Sequence, residues 1–194
     1  QMCIRDSNGM ARVIAEIARK ELPHHSWPAL LPWLFEHGEG GNALHRQTAV
    51  FVLYIVLETF VDSETLKEYL PRIMSLFAKG LQDPESLEVR ITTVRALGKV
   101  AENLEADGHG DLAAMQSAVP QMVAVLQQCL DASHTEGARQ IFDVFENLCM
   151  LEAPVLSVHL AELIAFFVRN AANRDHEEDL RLMCLNSLVW TIQY

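Results

Sequence analysis

The chain has 194 residues, half of them hydrophobic and 21% charged, a composition that excludes intrinsic disorder. Its formal net charge is -11 and its longest basic cluster is Arg19-Lys20, so it lacks the basic stripe of a nucleic-acid binder and favours basic partners. Cys3, Cys129, Cys149 and Cys184 form no Cys-x-x-Cys pair, and the last three lie in apolar helical patterns, as expected of reduced thiols in cytosol or nucleus.

The string Met2-Cys-Ile-Arg-Asp-Ser7 resembles translated adapter sequence, so residues 1–9 are expected to be a non-native or disordered leader. Ile4, Arg5 and Asp6 interrupt any signal-peptide core. From Met10 to Leu22 the pattern predicts a first helix with Val13, Ile14, Ile17, Ala18 and Leu22 on one face and Pro23 as its stop. Trp27 to His37 predicts a second, closed by Gly38, Gly40 and Gly41. Asn42 caps a third, to about Phe60. Its apolar core, Thr48 to Leu57, is shorter than the roughly 20 residues that span a bilayer and reads as buried helix, so no membrane insertion is expected. Ser63 caps a fourth, with Leu66, Tyr69, Leu70, Ile73, Phe77 and Leu81 at amphipathic spacing.

After the break at Asp83-Pro84 a fifth helix runs from about Glu85 to Leu104, followed by the loop Ala106-Asp-Gly-His-Gly110. A sixth carries Leu112, Met115, Val119, Met122, Leu126 and Leu130 on one stripe. Ser133 opens a seventh, to about Leu151. Pro154 is placed in the first turn of an eighth, ending near Asn173, and a ninth starts near His176. The ninth runs off the chain at Tyr194 without a cap, so both ends are expected to be cut.

Alternate helices repeat. Leu30-Leu31-Pro32-Trp33-Leu34, Tyr69-Leu70-Pro71-Arg72-Ile73 and Ala118-Val119-Pro120-Gln121-Met122 share one pattern, and His159-Leu160-Ala161-Glu162-Leu163 continues it with alanine for proline. The intervening helices carry Arg46, Arg90, Arg139 and Arg181, spaced by 44, 49 and 42 residues; HEAT hairpins repeat at about 40–47, and the Asp107-to-Asp111 loop insertion accounts for the wide middle spacing. A proline in a helix interior costs about 3 kcal/mol, so Pro32, Pro71 and Pro120 at matching positions point to a first helix bent there. Asp83 and Asp131 fall at matching hairpin turns, and the arginines are expected to brace neighbouring repeats. The expected fold is an all-α solenoid of about four HEAT hairpins (27–60, 63–104, 111–151, 153–194) behind one leading helix, 10–22, the second helix of a preceding repeat. An unrelated helical bundle is the competing architecture.

Three stretches carry a family resemblance: Glu21-Leu-Pro-His-His-Ser-Trp-Pro-Ala-Leu-Leu31, the Gln82-Asp-Pro-Glu85 turn before Val89-Arg90, and Phe142 through Phe145-Glu146-Asn147 to Leu156 and His159-Leu160. With them the chain resembles the karyopherin-beta nuclear transport receptors, in the importin-4 and importin-5 branch. The resemblance implies an N-terminal HEAT segment of a longer receptor, shuttling between cytoplasm and nucleus. It implies cargo and Ran-GTP on the concave surface and Phe-Gly nucleoporins on the convex one, with much of the Ran contact in repeats before this segment. A HEAT regulatory or assembly scaffold is the alternative.

No chemistry is legible. Phosphate-loop, dinucleotide and nucleophile-elbow motifs are absent, and Gly38-Glu-Gly-Gly41 lacks the lysine. No His-Glu-x-x-His or zinc-spaced cysteine cluster occurs, the loop Asp107-Gly-His-Gly-Asp111 lacks the ligands of a calcium site, and neither metal nor cofactor is expected. The expected interaction surface is a polar strip on the second helices. Its candidate residues are Tyr54 and Glu58, then Arg95, Lys99 and Glu102, then Gln140, Asp143 and Asn147, then Asn186. Gln47, Glu88, Thr92, Glu136, Asp179 and Gln193 extend the same helical rows.

Overall fold

The computed structural model describes residues 2–21, 27–59, 63–107 and 112–193. The His24-His25 pair, Pro23, Phe60 and the tip of the 106–110 loop lie outside the described residues. Helices α1 (Met2–Glu21), α2 (Leu30–Glu39), α3 (Ala43–Thr59), α4 (Ser63–Gly80), α5 (Leu87–Asp107), α6 (Leu112–Asp131), α7 (Thr135–Met150), α8 (Leu160–Ala172) and α9 (Glu178–Gln193) follow in order, with a 3-10 turn at Ser157–His159. No strand occurs among the described residues. The chain forms two compact units, residues 1–100 and 101–194, each described by itself.

In the first unit α3 lies between neighbours: α1 and α2 both pack on it, and α2 also packs on α4. That position explains the unbroken apolar run, because Ala49 to Tyr54, Val56 and Leu57 are all buried. The leading helix opens at Met2, eight residues before the expected start. Its buried face meets the expected one at Ala18 and departs from it elsewhere. Ala11, Ala15 and Ala18 are covered, while Val13 and Ile17 are 61% and 45% exposed. Small side chains at this spacing let α1 approach α3 closely.

Asn42 caps α3 as expected, its Oδ1 accepting from the His45 amide at 3.0 Å. The turn between α4 and α5 is organised by Asp83. Its Oδ1 accepts from the Glu85 and Ser86 amides at 3.0 and 2.8 Å, and Ser86 Oγ accepts from the Val89 amide. Arg46 of α3 reaches this turn, with Nε 2.5 Å from Asp83 Oδ2 and Nη2 2.8 Å from Glu85. Burial alone would push the Asp83 carboxyl up. The Arg46 guanidinium and the two amides outweigh it and hold Asp83 below the usual carboxylate range.

Three of the recurring arginines share a role at the turn of their own hairpin: Arg46 donates to the Gly41 carbonyl at 2.9 Å, Arg90 to the Asp83 carbonyl at 2.7 Å and Arg181 to the Ala171 carbonyl at 2.9 Å. Arg46 also braces the next hairpin, as expected. Arg139 is exposed. Asp131 is also exposed, and it accepts from Gln127 rather than from an arginine.

In the second unit α6 pairs with α7, α8 with α9, and α7 with α9. His134, not Ser133, caps α7, its Nδ1 accepting from the Gly137 amide at 3.0 Å. Ser133 takes a positive φ of 50°, which puts it outside the helix. Pro154 precedes the 3-10 turn rather than opening α8, which begins at Leu160.

Aligning the buried pairs Leu34-Phe35, Leu76-Phe77, Val125-Leu126 and Phe166-Phe167 brings Pro71, Pro120 and Ala161 into register. Ala29, not Pro32, then matches Pro71, and Pro32 stands in the first turn of α2, where proline is tolerated. Pro71 and Pro120 are interior and solvent-facing. Pro120 has no N–H for the Gln116 carbonyl four residues earlier. His159 Nε2, from the turn leading into the next hairpin, donates to that carbonyl at 2.8 Å. Gln116 Nε2 in turn donates to the Pro154 carbonyl at 3.0 Å. Further along, the side-chain amides of Gln127 and Asn170 exchange two 3.2 Å hydrogen bonds between α6 and α8. His176 adds a third partner to the buried Asn170.

Candidate partner-binding surface

In the first unit the expected strip is only partly outward. Glu58 is exposed, and Gln47, Glu88, Arg95 and Lys99 are half-buried. Tyr54 and Thr92, expected to face solvent, are 8% and 6% exposed. The cause for Tyr54 is Arg95. Its guanidinium lies 4.3 Å from the Tyr54 ring centroid, and its Nη2 donates to the hydroxyl at 3.0 Å. The structure therefore joins Tyr54 and Arg95 as one unit between α3 and α5. A helical count from one helix could not see that the arginine covers the ring.

In the second unit Glu136, Asp143, Asn147, Asp179, Asn186 and Gln193 are exposed, while Glu102 and Gln140 are half-buried. Along α7 the outward row reads Glu136, Arg139, Asp143, Asn147, Met150. Along α9 it reads Asp179, Leu182, Asn186, Val189, Gln193. Successive members are three or four residues apart, as one helical face requires. Met150, Leu182 and Val189, at 52%, 49% and 51% exposed, were missed by sequence reasoning because apolar residues were assigned inward. Their signal was present in the spacing, which continues that of the polar residues.

Between the two rows Ser187 Oγ donates to Glu146 Oε1 at 3.3 Å. Burial pushes the Glu146 carboxyl up, the Ser187 hydroxyl opposes this, and the Asp143 charge adds to it. Burial likewise raises the Cys149 thiol, and pushes Cys184 up to about 11. Neither thiol is poised as a nucleophile. Among the described residues no group of three His, Cys, Asp or Glu is placed to hold a metal ion, and no described helix is long and apolar enough to cross a membrane.

The hairpins and their register define an all-α solenoid of HEAT-type repeats. A family model described as "IPO5-like, TPR repeats" matches residues 7–166, and the chain belongs to that family. The arginine spacings of 44, 49 and 42 residues exceed the 34 of a TPR unit and have HEAT length. The chain is 30% identical over 188 residues to "Probable importin subunit beta-4" of Schizosaccharomyces pombe, covering 96% of this chain and 17% of that protein. It is 23% identical to "Importin-4" of Mus musculus, covering 94% and 16%. The crystal structure of Kap121p superposes with a TM-score of 0.73 at 22% identity, over 96% of this chain and 17% of that one, and shows the same fold. The chain thus spans about a sixth of the length of these relatives. Family membership makes it a helical-repeat protein.

Proposed function

We propose that this chain is a segment of a nuclear transport receptor that carries protein cargo into the nucleus and shuttles between cytoplasm and nucleus. The observation that supports it most is similarity to two importins across more than nine-tenths of the chain. In this reading the outward rows of the second helices meet cargo and Ran-GTP, and the first helices meet Phe-Gly nucleoporins. No metal or cofactor takes part. A pull-down with the intact protein tests it. GTP-loaded Ran and Phe-Gly repeats should both be retained, and loss of both overturns the reading. A stable stoichiometric complex indifferent to Ran would identify an assembly scaffold instead.

A further inference from the structure

His37 and His45 stand on different helices of the first unit, yet their ring centroids lie 5.6 Å apart. The turn between α2 and α3 brings them together. Gly41 takes a positive φ of 66°, and a Cβ there would lie 3.1 Å from His45 Nδ1, so any side chain at this position would crowd the ring. His37 is fixed from the other side. Its ring stacks on Trp33 at 4.2 Å, and its Nδ1 lies 2.9 Å from the Trp33 carbonyl. A carbonyl only accepts, so Nδ1 carries the proton and Nε2 keeps its lone pair. His45 and Trp33 are exposed and His37 is half-buried, so solvent reaches the pair.

We propose that His37 and His45 form a two-imidazole site for a late first-row divalent cation, of the zinc or copper(II) type, that clips the end of α2 to the start of α3. A metal-binding imidazole is held in one tautomer by a hydrogen bond from its other nitrogen, and the Trp33 carbonyl supplies that bond to His37. The ring separation fits one shared ion. At a metal–nitrogen distance of about 2.1 Å each centroid lies roughly 3.2 Å from the ion, and a tetrahedral angle then sets the centroids about 5 Å apart. The observed 5.6 Å needs only a slightly wider angle. Nitrogen donors also select the ion, since imidazole suits zinc, copper and nickel whereas magnesium and calcium take oxygen. Among the described residues no third His, Cys, Asp or Glu joins the pair, so water completes the coordination shell. Packing accounts for the ring stacked on Trp33; it gives no reason for a second imidazole folded over Gly41 toward the first. The ion takes no part in the transport reading.

The test uses the intact chain without a histidine tag. Copper(II) chloride is titrated while tryptophan emission is followed, because a bound copper ion quenches an indole stacked on its ligand. Quenching should saturate, excess zinc chloride should reverse it, and magnesium chloride should not. Zinc chloride should also raise Tm, since the ion binds only the folded hairpin turn. H45A, at an exposed position, should weaken copper binding roughly tenfold or more with an unchanged metal-free melting curve, and H37Q should weaken it as much. W33F should lose most of the quenching yet keep the zinc-induced rise in Tm. H24A/H25A should alter neither readout. Affinity unchanged in either H37Q or H45A, binding lost in H24A/H25A, or equal reversal by magnesium overturns the proposal.

Discussion

Asp83 is 3% exposed, yet it is held in its charged form by Arg46 and two backbone amides. D83N removes the charge while leaving Arg46 half-satisfied by Glu85, and should cost about 2 kcal/mol in urea unfolding at pH 7. The folded carboxyl titrates below its unfolded value of 3.8, so its contribution is complete above that pH and is lost as pH falls through the lower, folded value. The stability gap between D83N and the parent should therefore be constant above about pH 4 and narrow as pH falls further. A gap that did not narrow on acidification would refute the electrostatic account. Glu146 has the opposite sign. Its folded carboxyl is raised by burial, so its charge costs stability at neutral pH and the cost disappears as pH falls through the raised value. E146Q keeps an acceptor for Ser187 and should raise Tm at pH 7 by a few degrees, with no gain once Glu146 is protonated.

At the scale of elements, α4 and α5 approach so closely that a Cβ on Gly80 would lie 2.5 Å from Thr93 Oγ1. Thr93 cannot retreat freely, because it is fully buried and its hydroxyl donates to the Val89 carbonyl at 2.7 Å. G80A should destabilise by about 2 kcal/mol, and T93A in the same background should recover most of it in a double-mutant cycle. Strict additivity would mean the contact is not the cause. The nine helices among the described residues were legible in order because each carries its apolar residues at helical spacing between polar or glycine breaks. Details that depend on a neighbour were not. Tyr54 looks outward until Arg95 is laid over it, and α1 buries its alanines because α3 is close. Ser133 and His134 both suit the end of a turn, and only backbone geometry decides that His134 caps α7. In the candidate surface the polar half of each row was readable; Met150, Leu182 and Val189 were not, since hydrophobicity alone argues for burial.

At the scale of the molecule, two properties oppose each other. The net charge of -11 repels other copies, while Val13, Ile17, Leu185, Val189 and Ile192 each leave 45% or more of their surface to solvent. Salt screens the first and leaves the second. The chain should be monomeric by light scattering in low salt and should form larger species as sodium chloride approaches about 0.5 M, where the Debye length falls to a few ångströms. A particle size that stayed constant across that range would count against the exposed stripes.

Pro120 has a further consequence. A helix whose carbonyls are all answered from within can persist on its own. In α6 the Gln116 carbonyl, which Pro120 cannot answer, accepts instead from His159 of the next hairpin. The proline thus couples the folding of one hairpin to the arrival of another and raises the cooperativity of the second unit. Alanine at this position restores the internal bond, so P120A should leave residual helix after the main transition and lower the urea m-value, even if the midpoint rises. In this sense Pro120 gives up part of one helix so that two hairpins unfold as one.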